Sequence, residues 1–219
     1  MKLEEAIDKA WANLRERVEF KCDLNFDHEF TLQFHLAWEV ARLFNFSDSL
    51  NVRFEVPCGK DADGETIRLD LLLWTDTESK VAVELKAPMR SDTGKGSAMT
   101  QSRMRFYRDI HRLRHLVATH HVGVRLGMFL AVVNEKGYVV ERNQHVNRDY
   151  RTYHGTVLAP GVRIAATTGT NGYPHELLMP GHEIRWTWTC EQRGGEVQLC
   201  DGMRYYWLEP VFVRAVRTA

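Results

Sequence analysis

Asp70, Glu84 and Lys86 are the residues of this sequence whose types and spacing suit chemistry. Asp70 lies within the apolar run IRLDLLLWT at 67–75, and Glu84 and Lys86 lie within KVAVELKAP at 80–88. Side chains alternate along an extended chain, so Glu84 and Lys86 leave the same face with Ala82, while Val81, Val83 and Leu85 leave the other. Asp70 shares a face with Arg68, Leu72 and Trp74. Charges inside runs fit for a sheet centre are expensive unless a counter-charge or a metal meets them. A hairpin between the two runs sets Asp70 against Glu84 with the lysine beside them. Paired carboxylates either share a proton or bind a hard divalent cation, for which Mg²⁺ with retained waters and phosphate oxygens is the natural choice. A neighbouring ammonium can orient the attacking water and offset charge building on a phosphate. Together these residue types suit hydrolysis of a phosphodiester.

Charge distribution adds a second signal. Residues 86–114 hold eight basic side chains, among them Lys95, Arg103, Arg105, Arg108 and Arg112, against the acidic Asp92 and Asp109. The segment is net +6 in a chain of formal net charge zero, so contact with a nucleic acid would have to use a local patch. Gln101, Arg105, Arg108 and Arg112 fall on one side of a helical pattern, opposite or flanking Phe106, Ile110 and Leu113.

The segment Leu69-Asp70, thirteen intervening residues and then Glu84-Leu85-Lys86 resembles the PD-(D/E)xK nuclease superfamily, the restriction-endonuclease-like fold. The resemblance covers about residues 28–134. Leu69 stands where the nominal proline would be. The resemblance implies an α/β fold, a mixed central sheet flanked by helices, and a Mg-dependent endodeoxyribonuclease in which Mn²⁺ can substitute. Asp70 and Glu84 would hold the metal, with Glu39 as the added helix carboxylate. Lys86 would place the attacking water, and Gln101, at the start of the helix after the meander, would join the catalytic set by contacting the scissile phosphate or water with Arg105. Arg105, Arg108, Arg112 and Lys95 would contact nucleic acid, expected to be DNA, with RNA left open by the sequence. Cutting both strands calls for two copies, so a homodimer is one expected arrangement. Two other readings stand beside this one. One is a non-catalytic nucleic-acid-binding or assembly module with the same fold; the other is an unrelated α/β protein with a structural ion pair.

The elements that must position these residues follow from periodicity. Leu3, Ile7, Ala10, Trp11, Leu14 and Val18 predict an amphipathic first helix. A second helix is predicted from a cap at Asp27, with an apolar stripe of Phe30, Phe34, Trp38, Ala41 and Asn45 from which Glu39 is displaced. Strands are predicted at 51–57, 67–75 and 80–88 as a meander, then a helix from about 98 to 120 with Phe106, Ile110, Leu113 and Val117 buried. The apolar run 127–134 predicts a fourth strand, returning beside the third as a parallel neighbour. Beyond about 135 the pattern predicts a mostly β extension of unknown role, including a pair of strands around Gly194-Gly195 and a strand over 204–215. With no linker or repeat, 1–219 reads as a single domain.

Composition excludes several classes. The chain has 219 residues, 44% hydrophobic and 26% charged, within the ordinary range for globular proteins. No apolar run reaches the ~18 residues of a membrane span, and the acidic start predicts no signal peptide. The four scattered cysteines fit a reducing, cytoplasmic setting and form no zinc pattern. GKGS at 94–97 lacks the first glycine of a phosphate-binding loop, and Asp61, Asp63 and Gly64 lack the closing glutamate of a calcium loop. His111 and His115 have zinc spacing but read as surface residues, and Trp186, Trp188, Tyr205, Tyr206 and Trp207 read as strand core.

Overall fold

The first helix, α1, spans Leu3–Glu16 and runs on through a π-helical turn at Arg17–Lys21. All six residues of its predicted apolar stripe are buried. The computed structural model of the protein describes residues 1–21, 24, 28–60, 66–89, 99–141, 150–158, 163–165, 176–178, 182–187, 189–191, 197–199 and 205–215. No helix among them is long and apolar enough to cross a membrane.

Helix α2 spans Glu29–Leu43; the cap position is His28, and the expected Asp27 lies outside the described residues. Its inward face corrects the sequence reading. Leu32, Gln33, Leu36, Ala37, Glu39 and Val40 are buried, whereas Phe30, Phe34 and Trp38 are exposed. The helix has two apolar rows at four-residue spacing, and the aliphatic row packs inward beside α1 while the aromatic row faces out. Periodicity finds both rows but does not rank them.

Three antiparallel strands follow: β1 (Leu50–Lys60), β2 (Thr66–Thr75) and β3 (Lys80–Lys86). Helix α3, Met99–Ala118, then leads to β4, Val124–Val133, which lies next to β3 in the sheet. Phe106, Ile110, Leu113 and Val117 are buried, as the helical period requires. The crossover through α3 is the connection that a parallel neighbour needs.

Short antiparallel ladders make up the rest: β5 (Val157–Leu158) with β8 (His182–Glu183), β6 (Arg163–Ala165) with β7 (Glu176–Leu178), and β9 (Thr189–Glu191) with β10 (Val197–Leu199). The last pair is the one expected around Gly194-Gly195, a turn outside the described residues. The strand expected over 204–215 is instead two, β11 (Tyr206–Trp207) and β12 (Val211–Arg214), both beside β4. The break falls at Glu209-Pro210, where proline has no N–H for a ladder.

By internal packing the chain divides into two compact units. The first comprises Met1–Leu85, Arg112–Leu130 and Phe212–Ala219, and the second Lys86–His111 and Ala131–Val211. The division cuts through β3, α3 and β4, each of which contributes to both units.

Candidate functional site

In the first unit the β2–β3 register pairs Leu71 with Val83, Leu72 with Ala82 and Leu73 with Val81. Asp70 and Glu84 are each the next residue beyond that ladder. The meander is apolar on both faces, so both carboxylates end up enclosed: Asp70 is 7% exposed and Glu84 fully buried. Asp70 Oδ2 accepts the Leu85 backbone N–H at 2.6 Å, which fixes the carboxylate across the two strands. Glu84 Oε2 lies 2.6 Å from Arg112 Nη2 of α3, a counter-charge that offsets the cost of burying an anion. Their charges reach the Cys58 thiol on β1, where burial pushes the pKa up, Arg112 pulls it down and Glu84 raises it.

Glu39 is buried on α2 but is engaged by arginines. Arg17 Nη1 donates to Oε1 at 2.9 Å, and Arg42 donates to Oε2 from Nε at 3.0 Å and Nη2 at 2.8 Å. Burial works to raise this carboxyl, but the hydrogen bonds and charges of Arg42 and Arg17 outweigh it and hold it below the usual carboxylate range. A metal at Glu39 would have to displace a guanidinium. Glu55 on β1, which sequence reasoning did not single out, has left-handed backbone with φ 50°. Its Oε1 receives Gln33 Nε2 at 3.5 Å.

In the second unit Lys86 Nζ lies 3.2 Å from Asp109 Oδ2, and Arg108 Nε is 3.8 Å from Asp109 Oδ1. Asp109 is fully buried, Gln101 and Arg105 are exposed, and Arg108 is half-buried. Lys95 lies outside the described residues. Arg103 is buried; it donates to Tyr153 Oη at 3.3 Å and to the Gly137 carbonyl, and sits 4.8 Å from the Tyr153 ring centroid. The Tyr107 hydroxyl donates to the Arg151 carbonyl, and burial pushes its phenol above the usual range. Trp186, Tyr205 and Trp207 are buried, as expected of core aromatics, whereas Tyr206 is only half-buried and Trp188 lies outside the described residues.

Glu84 and Lys86 leave one face of β3, two residues apart, and Asp109 and Arg112 leave one face of α3, three residues apart. Each strand charge is matched by an opposite helix charge. Sequence reasoning placed Arg112 among residues for nucleic acid and counted Asp109 only in a charge tally. Their i, i+3 spacing with opposite signs, following a strand whose two charges come in the same order, is the signal that would have found this crossed pairing of first with second.

Two carboxylates from neighbouring strands form a hard, all-oxygen donor set, the type that Mg²⁺ takes. Among the described residues no group of three or more His, Cys, Asp or Glu stands where it could hold a metal. Mg²⁺ characteristically uses one or two carboxylates and completes its shell with water and phosphate oxygens; Asp70 and Glu84 would be the residues to hold it, Glu84 only by sharing its carboxylate with Arg112. Compared with protein-family models, curated proteins and solved structures, the chain matches none.

Proposed function

We propose that this chain is a metal-dependent endonuclease of the PD-(D/E)xK type that hydrolyses phosphodiester bonds in DNA. The observation that carries the reading is that Asp70 and Glu84 lie on adjacent antiparallel strands, each one residue beyond the Leu71–Val83 pair, with Lys86 on the same strand face as Glu84. The element order supports it: helix, three-strand meander, long helix and a strand returning beside the third, the succession that the family resemblance implies.

In this reading Asp70 and Glu84 hold Mg²⁺, or Mn²⁺ in its place. The ion, when bound, lowers the pKa of a coordinated water and neutralises charge on the phosphate. Asp70 is kept in orientation by the Leu85 N–H. Lys86 supplies an ammonium that orients the attacking water and offsets charge on the non-bridging oxygens. Asp109 holds that ammonium in place. The exposed Arg105 and the half-buried Arg108 bind the sugar-phosphate backbone, with Gln101 contributing a neutral donor. Arg112 balances Glu84 and must share it with the metal.

A second reading has a specific observation behind it. Glu84–Arg112 and Lys86–Asp109 each balance a charge within the protein, as a purely structural pairing would, which suits a nucleic-acid-binding or assembly module that does not cut. Plasmid cleavage separates the two. Wild type is expected to nick or linearise DNA with Mg²⁺ or Mn²⁺ and not with EDTA, while folded Lys86→Ala and Asp70→Asn do not cut. Salt-sensitive DNA binding without cutting would instead establish the second reading.

A further inference from the structure

Helix α2 and the strand beside it display an aromatic surface that the first unit leaves uncovered. Phe30, Phe34, Trp38 and Phe46 are 50–62% exposed, and Phe54 on β1 is 38% exposed. The rings adjoin one another: Phe34 and Trp38 stack at 6.3 Å, Trp38 meets Phe46 edge-on at 5.1 Å, and Phe30 lies 6.4 Å from Phe54. Phe30 and Phe34 are neighbours by their four-residue spacing.

The placement of Phe46 has a backbone cost. Helix α2 ends in a Schellman turn, with Phe46 N–H donating to the Ala41 carbonyl at 2.8 Å and Asn45 N–H to the Arg42 carbonyl at 3.0 Å. Asn45 suits the left-handed conformation this requires, at φ 54°, but Phe46 is also left-handed, at φ 51°. A bulky side chain is strained there, and within one chain the ring remains more than half exposed.

We infer that this face binds a second copy of the chain, α2 against α2 about a twofold axis near Phe34 and Trp38. Three features select this occupant. Antiparallel copies of α2 set the N-terminus of each helix beside the C-terminus of the other, so their dipoles oppose. Taking ~200 Å² for a whole aromatic side chain, the five rings expose about 500 Å² per copy, so two copies would bury about 1,000 Å² from the rings alone. That is large for a patch left bare on a monomer and reaches the lower bound of a specific interface. Finally, α2 has two acidic residues and one basic, which offers nothing to attract phosphates or an anionic membrane. The rows Phe30, Phe34 and Trp38 form the four-residue ridge that interdigitates with its own copy.

The contact runs through side chains and not through strand addition. Strand β1 ends the sheet order, but the left-handed Glu55, Pro57 and the register shift between Pro57 and Gly59 interrupt its outer edge. The inference does not depend on the nuclease reading.

Sedimentation velocity on the full chain tests it, with Trp38→Gln and Phe34→Ser as separate variants whose fold is checked by circular dichroism. Wild type is expected to dimerise with Kd of about 10 µM or tighter, and each variant to weaken the dimer by about 30-fold. A wild type that stays monomeric well above that concentration overturns the inference, whether or not it binds vesicles or DNA through these rings. So does a dimer that both folded variants leave unchanged.

Discussion

The Lys86 ammonium on β3 stands 3.2 Å from the carboxylate of Asp109 on α3, and the carboxylate is fully buried. A lysine on a flexible stem acquires one position when its partner is fixed in a helix. Asp109 is therefore a positioning residue for the proposed chemistry. Asp109→Asn keeps the shape and removes the charge. It is expected to lower kcat for metal-dependent DNA cleavage by about 10–100-fold, the range seen when an outer partner of a functional group is lost, with little change in KM. Asp109→Glu should recover part of the loss. Equal loss in kcat and KM, or cleavage at the wild-type rate, would remove Asp109 from this role.

Glu84 and Arg112 allow a test that needs no assumption about activity. Their 2.6 Å contact joins a fully buried carboxylate to a largely buried guanidinium. Arg112→Leu leaves the anion enclosed and is expected to cost about 3–5 kcal/mol, whereas Arg112→Leu combined with Glu84→Leu should recover most of it. Urea unfolding of the two single variants and the double variant reads this as a cycle. Additive losses would mean that the two groups are not coupled.

The legible parts of the fold were those in which one residue pattern had one physical outcome. The stripe of α1, the stripe of α3 and the apolar runs of β2, β3 and β4 each have a single way to hide their side chains, and each formed as the period demands. That Asp70 and Glu84 lie on neighbouring strands was legible because two apolar runs joined by a short polar connection make a hairpin. Helix α2 was misread because it carries two apolar rows, and which row packs inward depends on α1, a tertiary fact. The segment 204–215 divides because Pro210 has no N–H for a ladder, whereas its apolar pattern alone runs through the proline. Asp109 and Arg112 pair with a strand distant in sequence, and the opposite charges of α3 point to that partner only once the helix lies against β3.

Glu39 gives a pH signature. Its carboxyl titrates below the ordinary range in the folded protein, despite burial, because Arg42 and Arg17 hold the charged form. The stabilisation is therefore fully present above the unfolded value of about 4.3 and is lost as pH falls through the folded value. Glu39→Gln should lower stability at neutral pH by about 1.5–3 kcal/mol, the worth of hydrogen bonds to a charged group. Its partners can still turn toward water, since Arg42 is half exposed. Urea unfolding across acidic pH should show the difference between wild type and variant shrinking below pH ~4. A difference that persists unchanged there would place the stabilisation elsewhere.

Two glycines separate rigid from yielding packing. A Cβ added at Gly127 on β4 would stand 2.9 Å from Leu113 Cβ and 3.3 Å from Val213 Cβ. Neither atom can swing away by changing rotamer, so α3 or β12 would have to shift. Gly127→Ala is expected to cost about 1–3 kcal/mol, as overpacking does. At Gly137 the added Cβ would meet Met99 Sδ at 2.6 Å, a closer approach on paper. The thioether sits near the end of a flexible side chain, and methionine re-packs readily. Replacing glycine also trims the freedom of the unfolded chain by about 0.4–1 kcal/mol. Gly137→Ala should therefore come out near neutral although its nominal clash is the worse of the two. Thermal or urea unfolding of both variants decides it. Equal losses would show that the tip of Met99 is held as firmly as the base of Leu113.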